Sequence, residues 1–158
     1  MPSTIPCLWF DKDAEEAAEF YCSTFPNSKI LRVDRSPIDN PSVGEGAVLT
    51  VEFELDGTRY TALNGGPYFQ FSEAISFQID CADQKEVDYY WNALTAGGEE
   101  SQCGWLKDRY GLSWQVVPRR LVELINHSDP EVARRVGEVM LTMRKIDVDE
   151  LQKAAAIS

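Results

Sequence analysis

EAAEFY at residues 16–21 and EVDYYW at residues 86–91 lie 70 positions apart and carry one pattern. Glu16, Ala17, Phe20 and Tyr21 fall over Glu86, Val87, Tyr90 and Trp91. Thr24 and Leu94 continue an i, i+3, i+4, i+7 spacing, which puts one stripe of side chains on the buried face of a helix. Asp13 and Asp83 stand where helix caps belong. Glu15, Glu16 and Glu19 fall on or beside the opposite face of the first helix, and acidic residues in a first turn complement its dipole. Two amphipathic helices share this period by necessity, so the repeat rests on what surrounds them.

The surroundings repeat as well. Before the first helix, Ile5 to Phe10 is a short apolar run that suits a buried strand, with Pro6 tolerated near its start. After it, Phe25-Pro26-Asn27-Ser28 is a stop. Lys29–Val33 reads as a strand, 37–46 as a loop with two prolines and two glycines, and 47–55 and 58–63 as strands joined by Asp56-Gly57. Asp-Gly between alternating apolar segments is a strong hairpin signal. Asn64-Gly65-Gly66-Pro67 ends that hairpin. The order then restarts with a strand at 74–81 and the second helix, closed by Gly97-Gly98. Trp105–Lys107, a turn at 108–111 and Ser113–Val117 complete a second hairpin. The expectation is an α+β fold made of two tandem βαβββ modules within a single domain: module one 1–67, module two 68–120, and a helical extension 121–158.

In that extension, Leu121, Leu124 and Ile125 mark a short helix. Asp129-Pro130 is a cap with proline at the first helical position, and Val132, Val136, Val139, Met140 and Met143 follow as an apolar stripe. Asp147 with Glu150 resembles a capping box, and Ile146 and Leu151 are spaced for a hydrophobic staple across it.

Fifteen basic and 26 acidic residues give a net charge of −11, a field that repels phosphate backbones and anionic lipid. Neither nucleic acid nor membrane is an expected partner. No 18-residue apolar run and no signal-peptide pattern occur. Cys7, Cys22, Cys81 and Cys103 include no CxxC pair, which argues against a zinc knuckle and fits a reduced, cytoplasmic setting.

Several segments together resemble the PhnB-like branch of the vicinal oxygen chelate superfamily, the glyoxalase and bleomycin-resistance fold. They are FDKDAEEAAEFYCSTF with Pro26-Asn27-Ser28 (10–28), FELDGTRYTALNGGP (53–67), FSEAISFQIDC (71–81), QCGWLKDRYGLSWQVVP (102–118) and MLTMRKIDVDEL (140–151). The resemblance implies paired βαβββ modules in a cupped half-barrel, usually completed in a homodimer. Members of this branch often carry the label 3-demethylubiquinone-9 3-methyltransferase.

Metal-dependent members of the superfamily hold a divalent ion with His, Glu or Gln from strands of both modules. At the matching positions this chain offers Pro6 or Cys7, Asn64, Ser76 or Phe77, and Gln115. No imidazole or carboxylate stands among them, and amide oxygens alone are weak ligands for zinc, nickel or iron. The one histidine, His127, lies at a helix junction and reads as an exposed turn residue. Neither a glyoxalase-type metal site nor a cofactor is expected. Gly65-Gly66 follows a hairpin strand and Gly97-Gly98 ends a helix, so neither makes the strand-to-helix turn of a Rossmann-like nucleotide site. Cys103, in a loop beside Gly104, is the thiol best placed to react, although no cation or histidine adjoins it in the sequence. What remains is a pocket for a small aromatic or hydrophobic molecule, with Trp9, Asn64, Tyr68, Phe77, Gln102, Cys103, Trp105, Trp114 and Gln115 as candidate lining. Two other readings stay open: a methyltransferase acting on a quinol-like aromatic, and a non-catalytic dimeric protein that sequesters its ligand.

Overall fold

The computed structural model describes residues 1–157 and divides into two compact units, Met1–Phe71 and the chain from Ser72 onward. The first contains β1 (Cys7–Phe10), α1 (Ala14–Thr24), β2 (Ser28–Arg35), β3 (Val48–Leu55) and β4 (Thr58–Asn64). Its sheet order is β1-β4-β3-β2, with β1 parallel to β4 and the other pairs antiparallel. The second contains β5 (Ser76–Cys81), α2 (Gln84–Thr95), β6 (Glu99–Glu100), β7 (Trp105–Lys107) and β8 (Ser113–Pro118). Its order is β5-β8-β7-β6, again with the outer pair β5 and β8 parallel. Each unit thus runs βαβββ with one connectivity, and the duplication expected from the helices holds at the level of strand pairing.

In each unit the helix covers one face of the sheet. On α1 the buried side chains are Ala14, Ala17, Ala18, Tyr21 and Thr24. The small residues bring the helix close, and Tyr21 stacks on Phe53, which stacks on Tyr60. On α2 they are Val87, Trp91 and Leu94. The repeat positions match in burial: Ala17 and Val87 are buried, Phe20 and Tyr90 half-buried, Tyr21 and Trp91 buried. Strand alternation sends Leu8, Phe10, Val51, Phe53 and Ala62 into the first core, and Ile79, Cys81, Leu106, Trp114 and Val116 into the second.

Local chemistry explains most ends. Asp56 and Gly57 both have positive φ, 45° and 88°, as the two-residue hairpin between β3 and β4 demands. Asp83 caps α2 by accepting from Glu86 N–H at 3.0 Å, and Glu86 returns a bond from its carboxylate to Ala82 N–H at 2.8 Å. Asp13 precedes α1 but makes no capping bond with its side chain. Some expectations change in extent: β1 starts at Cys7 rather than Ile5, β2 runs three residues longer in all than 29–33, and β5 starts at Ser76 rather than 74; β6, two residues long, is a strand the sequence pattern did not announce.

The C-terminal helices α3 (Arg119–Ile125), α4 (Pro130–Met140) and α5 (Val148–Ala156) fall in the second compact unit. Leu121, Leu124, Val136, Ile146 and Leu151 form their common core. The staple residues Ile146 and Leu151 are both fully buried, and Asp147 accepts from Glu150 N–H at 3.2 Å. The segment before α5 is tied to the β6–β7 loop by its backbone: Cys103 N–H donates to Met143 C=O and Gly104 N–H to Arg144 C=O, both at 2.8 Å. Gly104 has φ +85°, and a Cβ there would lie 2.8 Å from Val116 O, so the position admits only glycine without strain. Among the described residues no helix is long and apolar enough to cross a membrane.

Candidate functional site

Because a helix covers one face of each sheet, side chains of the opposite parity stand on the helix-free face. In the second unit these are Ser76 and Gln78 on β5, Ser113 and Gln115 on β8, Trp105 and Lys107 on β7, and Glu99 on β6, while Val117 at the end of β8 packs against the C-terminal helices. The register sets Trp105 opposite Gln115, Lys107 opposite Ser113, and Glu99 opposite Lys107. Gln115 Nε2 donates to Ser76 Oγ at 2.8 Å, and Gln78 Nε2 reaches Gln115 Oε1 at 3.5 Å, so a polar row joins the edge strand β5 to β8. Beside this row lies a pocket of ≈ 130 Å³, lined by Glu73, Glu99, Glu100, Ser101, Trp105, Leu106, Lys107 and Ser113. Lys107 is ion-paired with Glu73, which raises the lysine pKa and lowers that of the glutamate, chiefly through their hydrogen bond. Ser113 is 1 % exposed and its hydroxyl has no hydrogen-bond partner among the described residues. A buried hydroxyl left unpaired costs about 1–3 kcal/mol, so such groups mark places where a ligand or water belongs.

The sequence candidates divide over the two faces. Trp105 and Gln115 stand on the free face of the second sheet. Trp114 and Phe77 are neighbours of those positions along the strands, so the pleat sends them to the helix-covered side. Their rings meet edge-on with centroids 5.5 Å apart. Trp114 is buried, and its Nε1 donates to Asp108 Oδ2 at 2.8 Å. Asp108 Oδ1 also accepts from Tyr110 N–H and Leu112 N–H at 2.8 and 3.1 Å. This buried carboxylate builds the β7–β8 turn and anchors Trp114. Gln102 is exposed in the loop before β7. Cys103 has φ +58°, and its thiol donates to Met140 C=O at 3.6 Å, directed at the C-terminal helices.

In the first unit, Trp9 is on the free face, its Nε1 donating to Gly66 C=O at 2.9 Å and its ring edge-on to Phe69 at 4.9 Å. Tyr68 is exposed, with its hydroxyl 3.3 Å from Pro41 C=O. Asn64 has the other parity. It sits opposite Phe10 in the register, is 6 % exposed, and is fully engaged. Its Oδ1 accepts from Ala14 N–H and its Nδ2 donates to Val48 C=O, both at 2.9 Å. The amide therefore satisfies the first N–H of α1, a donor that the Asp13 side chain leaves open.

Elsewhere, His127 is exposed and its Nδ1 accepts from Asp129 N–H at 2.9 Å, a turn contact. Burial, aided by Glu86, Asp80 and Asp83, pushes the Cys81 thiol up to about 12. No three His, Cys, Asp or Glu side chains among the described residues are grouped so as to hold a metal ion. The residues missed from sequence are Ser113, Lys107, Glu73, Glu99 and Asp108. A signal existed for Ser113, which lies two residues before Gln115 in a strand and must share its face.

With this geometry in hand, comparison with known proteins is decisive about kinship. The profile of the family described as 3-demethylubiquinone-9 3-methyltransferase matches residues 2–117. The chain belongs to that family. The tandem βαβββ units are the PhnB-like, glyoxalase/bleomycin-resistance type of fold. A solved PhnB protein from Bacillus cereus, described as a putative 3-demethylubiquinone-9 3-methyltransferase, is 29 % identical, with a TM-score of 0.67 over 74 % of this chain and 99 % of that one. Protein PA1353 from Pseudomonas aeruginosa, 18 % identical, shares the fold with a TM-score of 0.57 over 75 % of this chain and 98 % of its own. No curated protein matches the chain significantly. The 3-demethylubiquinone-9 3-methyltransferase match ends before α3, so the family's shared part is the pair of modules.

Proposed function

We propose that this chain binds a small organic molecule on the helix-free face of its second module and does so without a glyoxalase-type metal. The observation that carries the reading is the buried, unpartnered Ser113 hydroxyl, lining a pocket beside the Trp105 indole and the Gln78–Gln115–Ser76 row. An aromatic wall with a few convergent polar groups is how small-molecule sites are made.

The metal does not fit the donors at the superfamily's ligand positions. Cys7, at the start of β1, is a lone thiol that belongs to no metal-holding group of thiol, imidazole or carboxylate side chains among the described residues. Asn64 spends both ends of its amide inside the first module. Ser76 and Gln115 are bonded to each other. The family's description makes methyl transfer the second reading, but the glycine pairs lie after β4 and after α2, where no strand-to-helix phosphate turn forms. Non-catalytic sequestration in a homodimer uses the same face and differs only in having no turnover.

Native mass spectrometry of protein purified without chelator tests the reading. The expected spectrum shows a dimer, no stoichiometric divalent metal, and an organic adduct lost on collisional activation. One tightly held divalent ion per chain would refute the metal-free reading, and tight binding of S-adenosylmethionine would move the assignment to the methyltransferase.

A further inference from the structure

The lining of the second-module pocket is unbalanced in charge. It holds the carboxylates of Glu73 and Glu99 against the single ammonium of Lys107; Glu100 also borders it, but its carboxylate turns to the helix-covered side. Glu73 is committed to Lys107. Glu100 accepts from Trp91 Nε1 at 2.9 Å and stands 3.7 Å from Arg144. Glu99, opposite Lys107 in the ladder, makes no ion pair of its own among the described residues. Among the described residues, Ser113 adds a buried hydroxyl with no partner, and Trp105 is a half-buried indole with no aromatic neighbour stacked on it.

We propose that this pocket takes the ammonium end of a small organic cation. The reading rests on the ligand-binding face assigned above and names the class of its ligand. An ammonium donates hydrogen bonds, and the pocket offers two acceptors for them, Ser113 Oγ and the Glu99 carboxylate, on either side of Lys107. The Trp105 face attracts a cation through its quadrupole and covers the attached carbon body. The volume of ≈ 130 Å³ approaches the roughly 150 Å³ of a cavity that takes a benzene ring. An anion would have to displace Glu73 from Lys107 and sit beside Glu99, in a chain of net charge −11. A neutral ligand would gain nothing from Glu99, which is exposed and faces Lys107.

The test uses the full chain and three probes of one shape: benzylammonium chloride, benzyl alcohol and sodium benzoate. Binding is followed by ¹H–¹⁵N NMR, with the Trp105 indole N–H assigned through Trp105→Phe. Benzylammonium is expected to shift the Trp105 indole and the Ser113 and Lys107 amides, with a Kd about tenfold or more below that of benzoate, the separation one favourable charge contact gives. Glu99→Gln should weaken it about fivefold, and added salt should weaken it while leaving benzyl alcohol unchanged. Ser113→Ala, a small change that keeps the fold, should also weaken it. Benzoate or benzyl alcohol binding as tightly as benzylammonium, or indifference to Glu99→Gln, would overturn the cation assignment and leave the ligand-binding face standing. Silence of these resonances to all three probes would overturn both.

Discussion

Replacing Asn64 by alanine separates a bracing role from a ligand-binding one. The side chain is almost wholly buried and makes two bonds, from Ala14 N–H and to Val48 C=O, each 2.9 Å. Asn64→Ala removes both partners and leaves two backbone groups unsatisfied. A buried donor or acceptor so stranded costs about 1–3 kcal/mol, and water entering the vacated space recovers part of it. The expected loss is about 2–4 kcal/mol, which for a chain of this length lowers Tm by roughly 5–15 °C. Urea denaturation of wild type and variant measures it, read at constant m-value. Amide exchange adds a local readout: Ala14 N–H should exchange much faster in the variant, while Val87 N–H, in the other module, should change only with global stability. A variant within about 0.5 kcal/mol of wild type, a difference too small for a broken buried bond, with an unchanged Ala14 amide, would refute this account. Asn64 would then be free for a ligand.

Two further outcomes follow from the same geometry. A methyl group at Gly65 would sit 2.2 Å from Trp9 Cε2, so Gly65→Ala must push the indole off its bond to Gly66 C=O. Overpacking of this kind costs about 1–3 kcal/mol. Thermal melts should show it together with altered tryptophan emission, and an unshifted melt would count against the packing described. Cys81 gives a pH effect. The folded thiol keeps its proton to about 12, against 9.0 for the ordinary group. Over that window the unfolded chain binds fewer protons, so stability falls as pH rises, by at most about 1.4 kcal/mol per unit from this group. Cys81→Ala should show a shallower decline in Tm between pH 9 and 11, and parallel profiles would sink the assignment.

The architecture was legible because its signals are local and repeated. Asp56-Gly57 fixes a hairpin by backbone conformation, Asp83 and Asp147 cap helices within a few residues, and two helices with one pattern announce two copies of a unit. Features that depend on partners far along the chain were not legible. Asp13 looks like a cap, yet the first donor of α1 goes to Asn64, 50 residues away. Asp108 was missed for another reason: it looks like an ordinary turn residue, and only the hairpin geometry shows that it anchors the Trp114 indole, six residues on. The candidate lining mixed two faces for a simpler reason. Trp114 and Gln115 are adjacent in a strand, and residue type alone drew both into one list although the pleat separates them. Trp105 and Gln115 kept their place on the free face, and Ser113 joined them once parity was applied.

The paired bonds that Met143 and Arg144 make to Cys103 and Gly104 bear on any attempt to trim the protein to its family portion. A chain stopped at residue 117 would keep both module helices and every strand but for the last residue of β8, yet it would uncover two amide hydrogens at the bend leading into β7. That bend sets the start of the strand bearing Trp105. Shortening the C-terminus would therefore loosen the mouth of the second-module pocket before it touched either sheet, and a fragment that looks complete by homology would make a poor surrogate for binding work.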